Sequence, residues 1–201
     1  MDIFMYTQKE IEFLKKKDKK LGQAIDKIGI IEREVIPDLF TALIKSIVGQ
    51  QISAKAATTV WNRIVYKFEE ITPAVIAKAN VEEIQKCGLS TRKAGYIKGA
   101  AEAVLQEKIN LNELYSFSDD EVITCLSSLS GIGVWTAEML LIFSMQRQDV
   151  VSWSDLAIQR GMMKLYGLDS LNKETFRKYC KRYSPYGSVA SLYLWKLSVD
   201  K

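Results

Sequence analysis

An all-α fold is what this 201-residue sequence predicts, and three features predict it. Helical periodicity dominates throughout, no segment shows convincing strand alternation, and only three prolines interrupt the pattern. The apolar fraction of 48% and the charged fraction of 26% are those of an ordinary globular protein. The length suffices for one large domain or two small lobes.

The elements follow from local signals in chain order. Residues from about Gln8 to Lys20 form a charged amphipathic helix with Ile11 and Leu14 as its apolar stripe, and Leu21 to Ile28 a second, short one. The KKKDKK run at 15–20 reads as a soluble helix end. Pro37 sits where a helix can start, and Leu39, Leu43, Ile44 and Ile47 keep helical spacing up to a corner at Gly49-Gln50-Gln51-Ile52. Ser53 caps AKAATTVWNRIVYKF, Thr72-Pro73 opens a short helix, and VEEIQKCG forms another that ends at Gly88. Ser90 caps TRKAGYIKGAAEAVLQ. Beyond Asp155, a helix from Leu156 to Leu165 closes at Gly167, Asn172 caps a further one, and Gly187 to Val199 is the last.

Composition removes several chemistries. The chain has no histidine, which excludes Ser-His and Cys-His nucleophile systems and imidazole metal sites. Acid–base work near neutral pH falls to carboxylates, lysines, tyrosines or cysteines. Cys87, Cys125 and Cys180 are widely spaced and read as buried free thiols; an iron–sulfur cluster would need four clustered cysteines. The net charge of +4 is a mild hint of an acidic partner. No segment reaches the apolar length of a membrane span, and MDIFMYTQKE lacks a signal-peptide pattern. The expected location is cytoplasmic, or nuclear in a eukaryote.

The stretch from Ser118 to Asp155 organises the rest. It reads as a helix, a very short hairpin on Leu129-Ser130-Gly131-Ile132-Gly133, a second helix and a loop that delivers Asp155. Ser118 can cap the first helix, with Glu121 completing a capping box. The two glycines let the backbone turn tightly and approach a partner, and the turn opens onto a helix N-terminus, where the dipole favours an anion. A phosphate is the obvious candidate. Asp155, immediately before the helical LAIQR run, is by itself a preferred helix cap.

Five segments in this order carry a resemblance: LIKSIVGQQISAKAA at 43–57, CGLSTRKAGYI at 87–97, LSGIGVWTAEML in the hairpin stretch, SDLAIQRGM at 154–162 and RYSPYGSVASLYLW at 182–195. Together they resemble the helix–hairpin–helix, Gly/Pro-rich loop, Asp (HhH-GPD) superfamily of DNA glycosylases, and within it the alkylbase, 3-methyladenine DNA glycosylase II branch. The resemblance covers the chain from about residue 38 onward. It implies one two-lobed helical unit over 1–201, with a central lobe at about 50–130 and a second lobe from the N-terminal helices plus about 131–201. It also implies a compact version without an N-terminal β-domain. Where the family usually has Pro before the Asp, this loop reads QDVVSWSD, with Trp153 two places from Asp155.

The resemblance further implies roles. Asp155 is the catalytic carboxylate, which stabilises oxocarbenium character on the deoxyribose or orients water; cap and catalyst can coexist. Trp135 stands near where strand-cleaving relatives carry a Schiff-base lysine. Val134-Trp135-Thr136 has none, so a monofunctional, water-using enzyme follows. Its indole either stacks on a flipped cationic base, for roughly 0.5–2 kcal/mol, or anchors the helix in the core. Trp195 matches an aromatic of the base pocket, against a plain core role. Gln50 and Gln51 form the corner that enters the duplex, with Gln51 as the wedge. Gly131, Ile132, Gly133 and Thr136 hold the DNA backbone. The carbonyls of Ser127, Leu129 and Ile132 match those that hold a monovalent cation, Na or K. No catalytic cofactor is implied. Arg92 and Lys93 suit phosphate contact or are a solvated charge pair.

The expected function is base excision from double-stranded DNA: a flipped alkylated purine of the 3-methyladenine or 7-methylguanine type leaves, and an abasic site remains. The expected state is a monomer with no membrane partner. Two alternatives stay open, a non-catalytic hairpin module that only binds DNA, and a glycosylase for an oxidised or deaminated base.

Overall fold

A computed structural model of the protein describes residues 2–199. It is all-helical apart from a single bridge between Ile3 and Glu34 among the described residues. The helices are α1 (Gln8–Lys17), α2 (Lys19–Ile28), α3 (Leu39–Gly49), α4 (Ala54–Phe68), α5 (Pro73–Lys78), α6 (Val81–Gln85), α7 (Thr91–Leu105), α8 (Asp119–Ser127), α9 (Val134–Phe143), α10 (Leu156–Tyr166), α11 (Lys173–Tyr183) and α12 (Gly187–Val199). No described helix is long and apolar enough to cross a membrane.

Most helix starts are those the caps predict. Ser53, Thr72, Ser90, Ser118 and Asn172 each accept a hydrogen bond from a backbone N–H in the first turn of the helix that follows. Three boundaries differ from expectation. The first helix stops at Lys17, because Asp18 ends α1 and caps α2 with its own carboxylate. Asp38, not Pro37, starts α3, since only a side-chain oxygen can take the Thr41 N–H, at 2.7 Å. The helix expected to end at Gly88 ends at Gln85 and leaves a turn between. A short 3-10 helix at Glu113–Ser116 has no strong sequence signal.

The chain divides into two units. A central unit is the continuous stretch Ile36–Leu140. In it α7 buries Ala94, Ile97, Ala100 and Ala101 and packs against α3, α5 and α6. A terminal unit is built from the residues up to Val35 and from Leu141 onward. There α10 lies along α12, with α2 beside both and α1 and α11 packed around them. The division therefore falls at 36 and 140, where about 50 and 130 were expected. The reason is packing: α3 rests on α4 and α7, and the hairpin is tied to Gln50 and Tyr96, so both belong to the central unit.

The α10–α12 contact is unusually close. A Cβ on Gly161 would overlap the Leu194 carbonyl, so only glycine lets the two backbones meet there. Val189, Ala190, Leu192, Tyr193 and Leu194 of α12 are all buried, and Ile158 and Met162 of α10 join them. This core sets the position of the loop that carries Asp155.

Candidate active site and hairpin

In the terminal unit, Asp155 caps α10 and is only 7% exposed. Its Oδ1 accepts the N–H groups of Ala157 at 2.8 Å and Ile158 at 3.0 Å. Its Oδ2 accepts the indole N–H of Trp195 at 3.1 Å, from α12. Each oxygen is thus held from a different helix, and the carboxylate cannot rotate without losing a bond. Behind Trp195 the Phe143 ring lies tilted at 5.4 Å, and the Arg33 guanidinium sits 5.1 Å from the Phe143 ring centre. Trp195 is neither a plain core residue nor merely a lining one, since it binds the carboxylate directly.

The loop before Asp155 is stapled to the start of α12. Asp149 accepts the Gly187 N–H at 3.0 Å and the Ser184 hydroxyl at 2.6 Å. The Ser188 hydroxyl donates to the Arg147 carbonyl at 2.6 Å and accepts the Val150 N–H at 3.0 Å. Ser191 donates to the Val150 carbonyl at 3.0 Å. These bonds fix the path of the loop that leads to Asp155. Trp153 packs edge-on against Phe176 of α11 at 5.1 Å, with the Lys173 ammonium 6.0 Å from its ring centre. Its carbonyl accepts the Gln159 amide at 2.6 Å. Asp149, Ser188 and Ser191 have no sequence signal for this role, because their partners are about 40 residues away.

In the central unit, the hairpin is anchored by the buried Leu129 and Ile132, and the Ile132 N–H donates to the Leu129 carbonyl at 3.1 Å. Gly131 has φ +85°, and a Cβ there would run into the Tyr96 ring. Gly133 meets no such neighbour; it is exposed, and its carbonyl accepts the Ala137 N–H at 3.0 Å, the first bond of α9. Trp135 follows in the first turn at 46% exposed, which sets aside the core-anchor reading. Thr136 is buried at 6% exposed, so it presents little surface of its own.

The corner after α3 shares this scaffold. Gln50 donates its side-chain amide to the Gly131 carbonyl at 2.8 Å, so its amide braces the hairpin. Gln51 is exposed and has φ +56°, a left-handed conformation that costs a non-glycine residue roughly 1–2 kcal/mol. Lys93 is no surface phosphate contact: its ammonium donates to the carbonyls of Val48, at 3.0 Å, and Gln50, capping α3. Burial lowers its pKa from the ordinary lysine value.

The all-helical fold thus carries a buried carboxylate gripped by three N–H donors and a glycine hairpin that opens onto a helix N-terminus. The family model described as HhH-GPD superfamily base excision DNA repair protein matches residues 44–185, and the chain belongs to that superfamily. DNA-3-methyladenine glycosylase 1 of Schizosaccharomyces pombe is 35% identical over 164 residues, covering 79% of this chain and 72% of its own length. DNA-3-methyladenine glycosylase of Saccharomyces cerevisiae is 32% identical, covering 81% of this chain and 68% of its own length. The crystal structure of a DNA-3-methyladenine glycosidase from Bacillus halodurans superposes with a TM-score of 0.88 at 34% identity, over 99% of this chain and 93% of that one. The S. pombe 3-methyladenine DNA glycosylase in complex with abasic DNA gives a TM-score of 0.78 at 30% identity, over 94% and 95%.

Proposed function

We propose that this protein is a monofunctional DNA glycosylase that hydrolyses the N-glycosidic bond of an alkylated purine in duplex DNA. The observation that carries the reading is the Asp155 carboxylate, buried and fixed by Ala157, Ile158 and Trp195. In a cationic 3-methyladenine or 7-methylguanine nucleotide the C1′–N9 bond is already weak. As it breaks, the electron pair goes to N9, the purine leaves neutral, and positive charge moves to the sugar. Asp155 stabilises that charge without reorganising, because its oxygens are already fixed in direction. Water then bonds to C1′ and loses a proton, which leaves an abasic site and a free base.

The other residues take supporting roles. The hairpin backbone at Gly131, Ile132 and Gly133 grips phosphate without reading sequence, and the first turn of α9 favours the anion. Gln51, exposed at a left-handed corner, fills the gap left by the flipped nucleotide. Trp135, 46% exposed, is placed to stack its indole on a cationic base. The carbonyls of Ser127, Leu129 and Ile132 are the groups for a monovalent cation that would add positive charge beside a phosphate. The Ser127 hydroxyl, buried and without a hydrogen-bond partner, makes that spot oxygen-rich and fits a hard cation. Val134, Trp135 and Thr136 supply no lysine, so the strand stays intact. The protein acts as a monomer.

The test is incubation with methylated duplex DNA, with readouts of released base and of strands that break only in alkali. Wild type releases base, and Asp155→Asn slows release by 100-fold or more, about 2.7 kcal/mol of barrier. No release from wild type, or equal release from the variant, overturns the reading. Strand cleavage without alkali, trapped by borohydride, would show lyase chemistry instead.

A further inference from the structure

The net charge is unevenly divided. Of the 28 Lys and Arg and 24 Asp and Glu, 18 and 12 belong to the terminal unit, a net of +6. The central unit, which holds the hairpin, keeps 10 and 12, a net of −2. The main electrostatic source of affinity for a polyanion is therefore the terminal unit.

The surplus is concentrated where α1 meets α2. Asp18 is the single residue between these helices, and its carboxylate turns inward at 4% exposed. There it accepts the Leu21 N–H at 3.0 Å, the Tyr166 hydroxyl at 2.8 Å and Arg182 at 3.1 Å. With the acid taken inside, the KKKDKK run shows solvent only its lysines. Lys20 and Lys27 then lie on one face of α2 with Gln23 and Ala24 between them and Lys164 of α10 opposite, all lining one cleft. A second cleft, which shares Lys20, is lined by Lys17, Lys19 and Arg182 over the stacked rings of Tyr166 and Tyr179, 3.6 Å apart. Among the described residues lining the two clefts, Asp18 is the one acid. The nearby Asp26 is paired with Lys15 at 2.7 Å.

Three of the cations are held in place. Lys20 donates to the Tyr166 carbonyl at 3.1 Å, Lys164 donates to the Ser198 carbonyl at 3.2 Å, and the Arg182 guanidinium lies 4.9 Å from the Tyr179 ring centre. Lys20 and Lys27 are two turns apart, about 10 Å along the helix, which matches about three nucleotide steps of one DNA strand. Asp155 caps the far end of α10 from Lys164 and Tyr166, about 14 and 16 Å away along the helix. The face is thus distinct from the candidate active site.

We propose that this face, Lys17, Lys19, Lys20, Lys27, Lys164 and Arg182, is a second phosphate-binding surface that takes the backbone of duplex DNA outside the damaged site. It rests on the reading that the protein works on duplex DNA, and it reads no sequence, because every group on it is a point charge or a guanidinium. Its use is to hold undamaged duplex by charge alone.

The experiment compares wild type with Lys17→Gln/Lys19→Gln/Lys27→Gln, which spares Lys20, Lys164 and Arg182, the cations tied to the fold. Binding to an undamaged duplex of about 30 base pairs is followed from roughly 50 to 200 mM salt. The slope of log K against log salt should become shallower by about 2–3, at about 0.9 per lost contact, with affinity at low salt down tenfold or more. Single-turnover base release at saturating enzyme should not change. A control, Lys67→Gln/Lys78→Gln/Lys108→Gln in the central unit, removes the same charge and should move the slope by less than one. An unchanged slope in the first variant with an unchanged melting temperature overturns the proposal, as does an equal change in the control. Loss of binding to polyglutamate with DNA binding intact would assign the face to an acidic protein and overturn it too. Failure of wild type to release base would count against the glycosylase reading alone, since the slope is measured on undamaged DNA.

Discussion

The indole N–H of Trp195 donates to Asp155 Oδ2 across 3.1 Å, and it links the last helix to the carboxylate that would do the chemistry. A hydrogen bond to a charged acceptor contributes about 1.5–3 kcal/mol. Phenylalanine at 195 keeps a ring against Phe143 but removes the donor. Trp195→Phe should therefore slow single-turnover excision by roughly 10–100-fold and, because the same bond contributes to stability, lower the melting temperature by several degrees. A rate within twofold of wild type would remove Trp195 from the machinery.

The same bond depends on how closely α10 and α12 approach. Gly161→Ala places a methyl group against the Leu194 carbonyl, one residue from Trp195. Overpacking of this kind costs about 1–3 kcal/mol, a fall of roughly 3–10 °C in Tm for a chain of this size. Excision measured well below that Tm should fall as well, because the crossing sets the Trp195–Asp155 distance. Thermal unfolding and single-turnover rates, taken on one preparation, separate the two effects.

The hairpin permits a cleaner separation of binding from chemistry. Gly131→Ala meets both a φ of +85° and the Tyr96 ring. It should weaken binding to an abasic duplex by at least about tenfold, whereas Asp155 and its partners are untouched. Tyr96→Ala in the same chain removes the clash but not the backbone cost, so the double variant should recover part of the loss. Full recovery would mean that the left-handed backbone at 131 is dispensable.

Asp18 gives the terminal unit a dependence on pH. Burial pushes its carboxyl pKa up, but the Leu21 N–H, the Tyr166 hydroxyl and Arg182 together outweigh burial and hold it below the ordinary value. A depressed carboxylate pKa contributes stability above the unfolded value, about 3.9, and that stability is lost as pH falls through the folded value. Wild type should therefore lose Tm steeply below about pH 4. Asp18→Asn should start lower at pH 7 and lose less in that window. Parallel Tm curves from pH 7 to pH 3 would show that Asp18 carries none of it.

Several features were legible because their causes are local. The capping box of Ser118 and Glu121 is one: the Ser118 N–H donates to Glu121 at 2.8 Å and the Ser118 hydroxyl takes the Glu121 N–H at 3.4 Å, three residues apart. Asp155 is another, since its cap geometry needs only the helix that follows it. Gly131 follows the same logic for its turn, although the Tyr96 ring beneath it has no sequence signal. Lys93 shows the limit: a lysine in the first turn of a helix reads as a surface charge, and only the end of α3 beside it makes it a cap.

By itself, the sequence determined the all-helical class, most helix starts, the hairpin turn and the helix cap at Asp155, whose catalytic role only the family resemblance implied. Each rests on hydrogen bonds or backbone preferences within about four residues, which residue type alone encodes. The tertiary structure decided that Trp195 binds Asp155, that Asp149, Ser188 and Ser191 shape the loop, that Trp153 turns to Phe176, and that the lysines of the first two helices form one face. α12 is buried on all sides from Gly187 to Leu194, so its pattern carries no information about which side meets α10. That choice was made by packing, where Gly161 lets the two helices close to backbone contact.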